Sequence, residues 1–539
     1  MFKIVSWFSI IVLGIAINSN VAFSQKLTKE QRLLDFHYLV SHIKSSYGPL
    51  EYKTKNRIVN INKLIKKFRK KVAKAKTNGE FYYTIREFTS SFRDGHFSTR
   101  IPTSYRASLP LRTEWVNGKI LVQLALPVPG NIQLSPGDEI LKFNNKPVKK
   151  VLRQLKKYIG SGSKQTETRW AAWLLTIRPG SLLPVPVNNK VILRVKLKSS
   201  GKIVNVNRKW KFSGEFLDEN KKFGKKSKNL QNFSGNQSVV FNPIENLSIS
   251  DSFDSLLKED SFAEVTYACS PSTRIAIPAD ATVIMKEPFV AYYYPTKKGN
   301  VGYLRIPHYS FGEQSKQVFA NYAYAVSELE KNTVALVIDQ DHNCGGSVTF
   351  LGDMFGLFID RPVNNALFRL VANKSVYISL KSYVERASPN VIGFSIWKHF
   401  LAQVKTAWLG NKYLTDKISL QKIYPNAEAR YTKPITVLTD ELSGSGGDAF
   451  PALMQGYNRA TILGTKTSGL GGSVASIPNL PFSQISVRLT QTLFYHPNGQ
   501  EIENNGVNPD VPYTITDKDF INKYLDYRTF YTQKTLDLL

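Results

Sequence analysis

The chain has 539 residues, 42% of them hydrophobic, with a formal net charge of +31. That length holds about two to four domains, and the composition is that of a globular protein rather than a disordered or fibrous one. Two cysteines and the lack of a His-Glu-x-x-His segment argue against a structural zinc site, so neither a metal nor a cofactor is expected.

The chain opens on Lys3, an apolar stretch over residues 4–17, and the small-x-small triplet Ala22-Phe23-Ser24. This order reads as a secretory signal peptide over residues 1–24. No later stretch is long and apolar enough to span a bilayer, so an exported protein, periplasmic or secreted, is expected. Export permits a disulfide between Cys269 and Cys344, but spacing alone does not separate a bridge from two buried thiols.

Residues 25–107 read as mainly helical. Thr28 and Gln31 form a capping box ahead of Leu33, Phe36, Val40 and Ile43 on one face. Tyr47-Gly48-Pro49 ends that helix. A second carries Ile61, Leu64, Ile65, Phe68 and Val72, with a basic run from Lys63 to Lys76 around them. The basic run reads as a solvated helix face, with weak attraction to anionic surfaces as its sharper alternative. No nucleic-acid motif accompanies it. A third helix carries Phe81, Ile85, Phe88 and Phe92 and leads to Arg93-Asp94-Gly95-His96.

Residues 108–212 change to strand-like alternation. Residues 120–126 read as a strand. Pro136-Gly137-Asp138-Glu139-Ile140 and the Asn144-Asn145 turn follow, and residues 170–175 read as an inserted helix. The segment from Leu134 to Val148 resembles the PDZ family, although no carboxylate-binding loop stands out at Pro110 and Leu111. Residues 213–279 read as a polar insertion, rich in Lys and then in Asn, Ser and Gln. Residues 280–516 return to alternating strands and helices, with β-rich runs at 333–339, 434–440 and 460–464. Residues 517–539 read as one amphipathic helix.

Two turns carry the chemistry. Ser445 lies in Ser443-Gly444-Ser445-Gly446-Gly447-Asp448, between a strand and a helix. A serine so placed exposes its hydroxyl beside the next backbone N–H. Gly345 and Gly346 follow the strand ending at Asp339, and adjacent glycines let N–H groups converge on one point. The oxyanion donors are therefore expected at Gly446 and at Gly345 or Gly346. Ser443 is the rival nucleophile. His342 and His308 rival His96 when the residues are read alone.

Three segments together resemble the C-terminal processing protease superfamily, which includes the tricorn core and the chlamydial protease-like activity factor group. They are Asp339-x-Asp341-x-Asn343-x-Gly345-Gly346, Ser445-Gly446-Gly447-Asp448 with Arg459 to Gly469, and Glu503-Asn504-Asn505-Gly506-Val507-x-Pro509-Asp510. The resemblance implies a PDZ-like domain and a crotonase-like mixed α/β catalytic domain in a multidomain α/β chain. It also implies a serine endopeptidase acting on protein or peptide substrates, and homodimers, by analogy. One branch of the family uses a lysine base, and the matching position here is Leu470; Lys466 stands nearby. The other branch uses a histidine from before the PDZ-like domain, which here is His96. The resemblance thus implies Ser445 as nucleophile, His96 as general base and Glu503 as the orienting carboxylate, with Glu501 and Asp94 as competing carboxylates. A degenerate PDZ-type scaffold and a non-peptidase acyl hydrolase on the same fold are the alternatives.

Overall fold

The computed structural model describes residues 26–214, 269, 274–386, 394–419 and 422–539. The expected signal peptide and most of the polar insertion lie outside the described residues.

Four helices begin the described chain: α1 (Lys29–Ser46), α2 (Leu50–Lys55), α3 (Ile61–Lys74) and α4 (Asn78–Ser90). Thr28 caps α1 with Gln31 as expected. The short α2 has no side-chain cap and no strong periodicity, so it leaves no local signal in the sequence. Phe36, Phe68, Phe81 and Phe88 are buried in one core. That core also contains Ile477, Leu480, Ile485, Val487 and Leu489 from late in the chain, so the N-terminal helices and the C-terminal half share their apolar interior.

Backbone hydrogen bonds reinforce the joint. The strand Ser98–Arg100 pairs antiparallel with Ser486–Thr490, Ser98 opposite Arg488. Gly48 N–H donates to Thr490 O at 2.8 Å. The buried Asp35 carboxylate of α1 accepts from Phe482 N–H at 2.9 Å and Ser483 N–H at 2.8 Å.

The β-rich region builds a sheet in the order Leu111–Val116, Lys119–Ala125, Glu139–Phe143, Lys190–Lys196, Ile203–Lys209. Asn144 and Asn145 both take positive φ (47° and 62°), the left-handed geometry of a two-residue hairpin turn. The helices α5 (Val148–Leu155) and α6 (Lys164–Trp173) cover this region, α6 starting earlier than the sequence suggested because Ser163 caps it.

The C-terminal half is organised on a seven-stranded mixed sheet. Its order is Thr282–Met285, Ala291–Tyr294, Val301–Arg305, Ala335–Asp339, Ile435–Thr439, Thr461–Gly464, Val511–Pro512. The first three strands pair antiparallel and the remainder parallel. Ala335–Asp339 and Ile435–Thr439 are neighbours and buried throughout, so the two glycine-rich turns that follow them emerge side by side. This places residues nearly a hundred positions apart at one sheet end, where open α/β sheets carry their sites.

The tail departs from the single helix expected. It forms Asp517–Ile521 and Leu525–Leu536, separated by Lys523 and Tyr524 at φ 59° and 64°. Two consecutive left-handed residues cannot continue an α-helix.

Replacing Asp35 by Ala leaves two N–H groups of the 482–483 turn buried without acceptors. The expected loss is about 1–3 kcal/mol of unfolding free energy, read by chemical denaturation.

Candidate active site

Ser445 precedes the helix Gly446–Gly456 with φ 59° and ψ −111°, backbone torsions outside the regions a serine ordinarily occupies. The Asp448 carboxylate holds this conformation by accepting Ser445 N–H at 2.8 Å. It also accepts Gly469 and Leu470 N–H, each at 2.9 Å, and the Thr467 hydroxyl. Burial raises the Asp448 carboxyl to about 6, against the lowering effect of these donors.

The glycine turn packs directly on this elbow. A Cβ added at Gly345 would stand 2.6 Å from Ser445 Cβ and 2.7 Å from Gly446 N, and Gly345 has φ 78°. Only glycine fits there. The Gly345 N–H, however, donates to Asn343 Oδ1 at 2.8 Å. Of the two expected alternatives for the second oxyanion donor, the structure therefore favours Gly346 N–H, with Gly446 N–H as the first.

Ser443 does not compete. It is fully buried, and its hydroxyl donates to Gln340 O at 2.7 Å. His342 is held among Arg169, Arg274 and Asp440, away from Ser445. His308 packs on Phe311, and its Nδ1 accepts Ser310 N–H. Lys466 lines a separate cavity with Arg169, Arg274 and Tyr527.

His96 is 3% exposed, and neither ring nitrogen has a hydrogen-bond partner among the described residues. Its backbone is fixed by Asp94, whose Oδ1 accepts His96 N–H at 2.8 Å. Burial lowers the imidazole to about 4; Asp94 opposes this, and Arg488 and Lys53 add to it. His96 and Ser445 are not hydrogen-bonded, and they line different cavities. The Leu470 side chain lines the His96 cavity together with Gly444. Cβ atoms added at Gly95 and at Gly444 would each stand 2.9 Å from it. Leu470 thus fills the space between Gly95 and Gly444 with methyl groups. Glycine at position 95 accommodates that bulk.

Glu503 does not contact the imidazole here. One oxygen forms a buried ion pair with Lys53 of α2, and the other accepts Gly471 N–H at 3.0 Å. Burial and the Asp94 charge raise Glu503 to about 7, while Lys53 works against them. Lys53 also donates to Asn504 Oδ1 at 2.8 Å and Arg93 O at 3.1 Å. Asp94, the competing carboxylate, is buried near His96 and accepts the hydroxyls of Tyr47 at 2.9 Å and Thr490 at 2.8 Å. Glu501 is half-buried, and its backbone carbonyl accepts the Asn505 side-chain N–H at 2.8 Å. Sequence reading overlooked Lys53. Nothing in Leu50-Glu51-Tyr52-Lys53-Thr54-Lys55 separates a buried lysine from an exposed one.

Cys269 and Cys344 form a disulfide with a Cα–Cα distance of 5.3 Å, settling the alternative left open by the sequence. Among the described residues no group of His, Cys, Asp and Glu side chains is arranged to hold a metal ion.

Comparison with known proteins agrees with this geometry. Residues 300–513 match the family model for peptidase family S41, and residues 105–221 match a PDZ domain. Residues 300–513 are thus a peptidase family S41 domain, and the chain is a serine-type peptidase. It is 28% identical over 435 residues to an uncharacterized protein of Chlamydia muridarum, covering 71% of this chain and 72% of that one. It is 35% identical over 96 residues to the carboxy-terminal-processing protease of Bartonella bacilliformis, 18% of this chain and 21% of that protease. A crystal structure of a CPAF mutant superposes with a TM-score of 0.80, covering 95% of this chain and 98% of that one. At 22% identity this last likeness speaks for the fold. The N-terminal helical region, the PDZ domain and the peptidase domain all contribute to the cavity lined by His96, Gly160, Thr166, Gly444 and Leu470.

Replacing Lys53 by Met leaves Glu503 buried without its cation. Thermal and denaturant unfolding of this variant are expected to show a loss of about 3–5 kcal/mol, the usual consequence of breaking a buried pair from one side.

Proposed function

We propose that this S41 peptidase is an exported endopeptidase that cleaves through an acyl-enzyme on Ser445. Ser445 Oγ attacks the substrate carbonyl while His96 takes its proton. The oxyanion forms against Gly446 N–H and Gly346 N–H. His96 then protonates the departing amine, and water repeats the sequence on the ester. The Asp94 charge favours the imidazolium, while Glu503, paired with Lys53, orients the imidazole only after a shift toward it on substrate binding. The observation that carries this reading is the Ser445 elbow, held at φ 59° with Gly345 against its Cβ. His96, buried with both nitrogens unpartnered among the described residues, has its hydrogen-bonding capacity available for the reaction.

The missing His96–Ser445 hydrogen bond fits an enzyme whose contact tightens on substrate binding. It also favours, as a second reading, a PDZ-type binding protein that has lost catalysis. A small cavity shared by Ser445, Gly446, Val348, Phe368, Ala449 and Phe494 is mainly apolar, which suits an apolar substrate side chain beside the scissile bond. The Cys269–Cys344 bridge supports export, because disulfides persist outside the reducing cytosol. Amino-terminal sequencing of the protein recovered from its native compartment is expected to begin near residue 25.

A fluorophosphonate probe separates the two readings. The wild-type protein is expected to gain one adduct on Ser445, mapped by mass spectrometry, and to cleave an unfolded protein. The Ser445→Ala variant is expected to lose both. No adduct on wild type, or an adduct that survives Ser445→Ala, would falsify the nucleophile assignment.

The pH dependence follows from burial. With the imidazole lowered to about 4, His96 is already neutral and able to accept a proton across the range where a free histidine is charged. The acidic limb of kcat/KM is therefore expected well below pH 6.5. A limb at or above 6.5 contradicts the buried base. For folding, the unfolded chain takes up a proton on this histidine near 6.5 and the folded chain does not until about 4, so this group's stabilisation is lost as pH falls through that window. Glu503 acts oppositely: raised to about 7, its stabilisation is lost as pH rises through that value.

A further inference from the structure

Asp440 ends the central strand Ile435–Thr439 and has no place in the chemistry above. Its carboxylate nevertheless binds both turns of the site. Oδ1 accepts His342 N–H of the glycine turn at 2.9 Å, and Leu442 and Ser443 N–H of the serine turn at 3.1 Å each. The turns also meet directly, Gly444 N–H donating to Asn343 O at 2.9 Å.

The second oxygen faces the PDZ region. Arg169 of α6 donates to Asp440 Oδ2 at 2.7 Å, and Arg274 donates to it at 2.6 Å. The Arg169 Nε also donates to Glu114 on the PDZ sheet at 3.1 Å and lies 3.5 Å from Glu441. Two further side chains of α6 touch the same turns. Thr166 donates its hydroxyl to Glu441 O at 2.6 Å. Trp173 sits edge-on to His342 at 5.5 Å and donates its indole N–H to Glu114 at 2.9 Å. Arg169, Asp440 and His342 are each 5% exposed or less.

These contacts form a chain: PDZ sheet, α6, Asp440, then the backbone of both turns. Charge-assisted hydrogen bonds without water access have little freedom to slide, and a rigid fork such as guanidinium fixes direction as well as distance. Moving Arg169 therefore moves the carboxylate that spaces the two turns. That spacing sets the distance between Gly446 N–H and Gly346 N–H, and an error of about 1 Å in such a site is worth up to about 100-fold in rate.

We propose that Arg169 is a positioning residue: through Asp440 it sets the spacing of the two oxyanion turns, so the seating of the PDZ domain governs turnover rather than substrate affinity. This rests on the assignment of Ser445 as nucleophile.

The test combines steady-state kinetics on a peptide substrate with the rate at which a fluorophosphonate labels Ser445. The full-length wild type is compared with Arg169→Gln, Arg169→Lys and Thr166→Val, and thermal unfolding reports whether each variant folds. Arg169→Gln is expected to lower kcat and the labelling rate about 10- to 100-fold, with KM changed less than about threefold. Arg169→Lys restores the charge and is expected to recover part of kcat. If Arg169→Gln does not fold, Thr166→Val, which removes one hydroxyl, is expected to lower kcat several-fold at constant KM. Unchanged kcat in a folded variant, a loss confined to KM, or no recovery in Arg169→Lys overturns the positioning role while leaving the nucleophile in place. No label on the wild type at Ser445 overturns the nucleophile assignment and this role with it.

Discussion

Lys53 and Glu503 are each 0% exposed in their side chains, and they face each other across the joint between the N-terminal helices and the peptidase domain. Neither charge is tolerable there alone, because each lacks water to solvate it. The pair therefore requires α2 to sit against the segment around Glu503. Lys53 extends the requirement by donating to Arg93 O, three residues before His96, and to Asn504. Asn504 in turn donates to Arg93 O and Gly162 O. The position of the proposed base is thus tied to a buried ion pair that makes no contact with the nucleophile.

Apolar packing supplies the energy that this polar joint directs. The aromatic core of α1, α3 and α4 closes over Leu480, Ile485, Val487 and Leu489, and the strand after His96 adds to the same layer. A separable N-terminal module would need its own apolar interior, and this one shares its interior with the peptidase domain. Movement of His96 toward Ser445 then requires local adjustment around Leu470 and Gly95 rather than docking of a free domain. Leu470 has a double consequence. It stands where the resemblance would put a lysine base, and its methyl groups pack against Gly95, next to His96, and Gly444, next to Ser445.

The two turns at the sheet end obey a different constraint. Adjacent parallel strands bring Asp339 and Thr439 to the same edge, and glycines at 345 and 446 allow backbone to approach backbone. Carboxylates then fix what glycine leaves free: Asp448 holds the serine elbow, and Asp440 holds the turns to each other. Both acids lie next to the serine motif in sequence and were legible as polar residues of a turn. Their acceptor roles were not, because each depends on N–H groups from segments far away in the chain.

Much of the architecture follows from local signals. The Thr28 capping box, the Asn144-Asn145 turn, the buried strand before each glycine turn and the serine at the start of a helix are all written in short stretches of residues. Glycine spacing, side-chain periodicity and caps act over a few residues, so they survive in a linear reading. The family motifs likewise pointed to Ser445, His96 and Glu503 by position. What tertiary structure alone decided concerns partners. It gave Gly345 N–H to Asn343 and paired Glu503 with Lys53 instead of His96. It joined Cys269 to Cys344, split the tail into two helices, and carried Arg169 from the PDZ domain to Asp440. These are choices among groups of equal chemical capability, and only distance and burial distinguish one lysine, carboxylate or N–H from another.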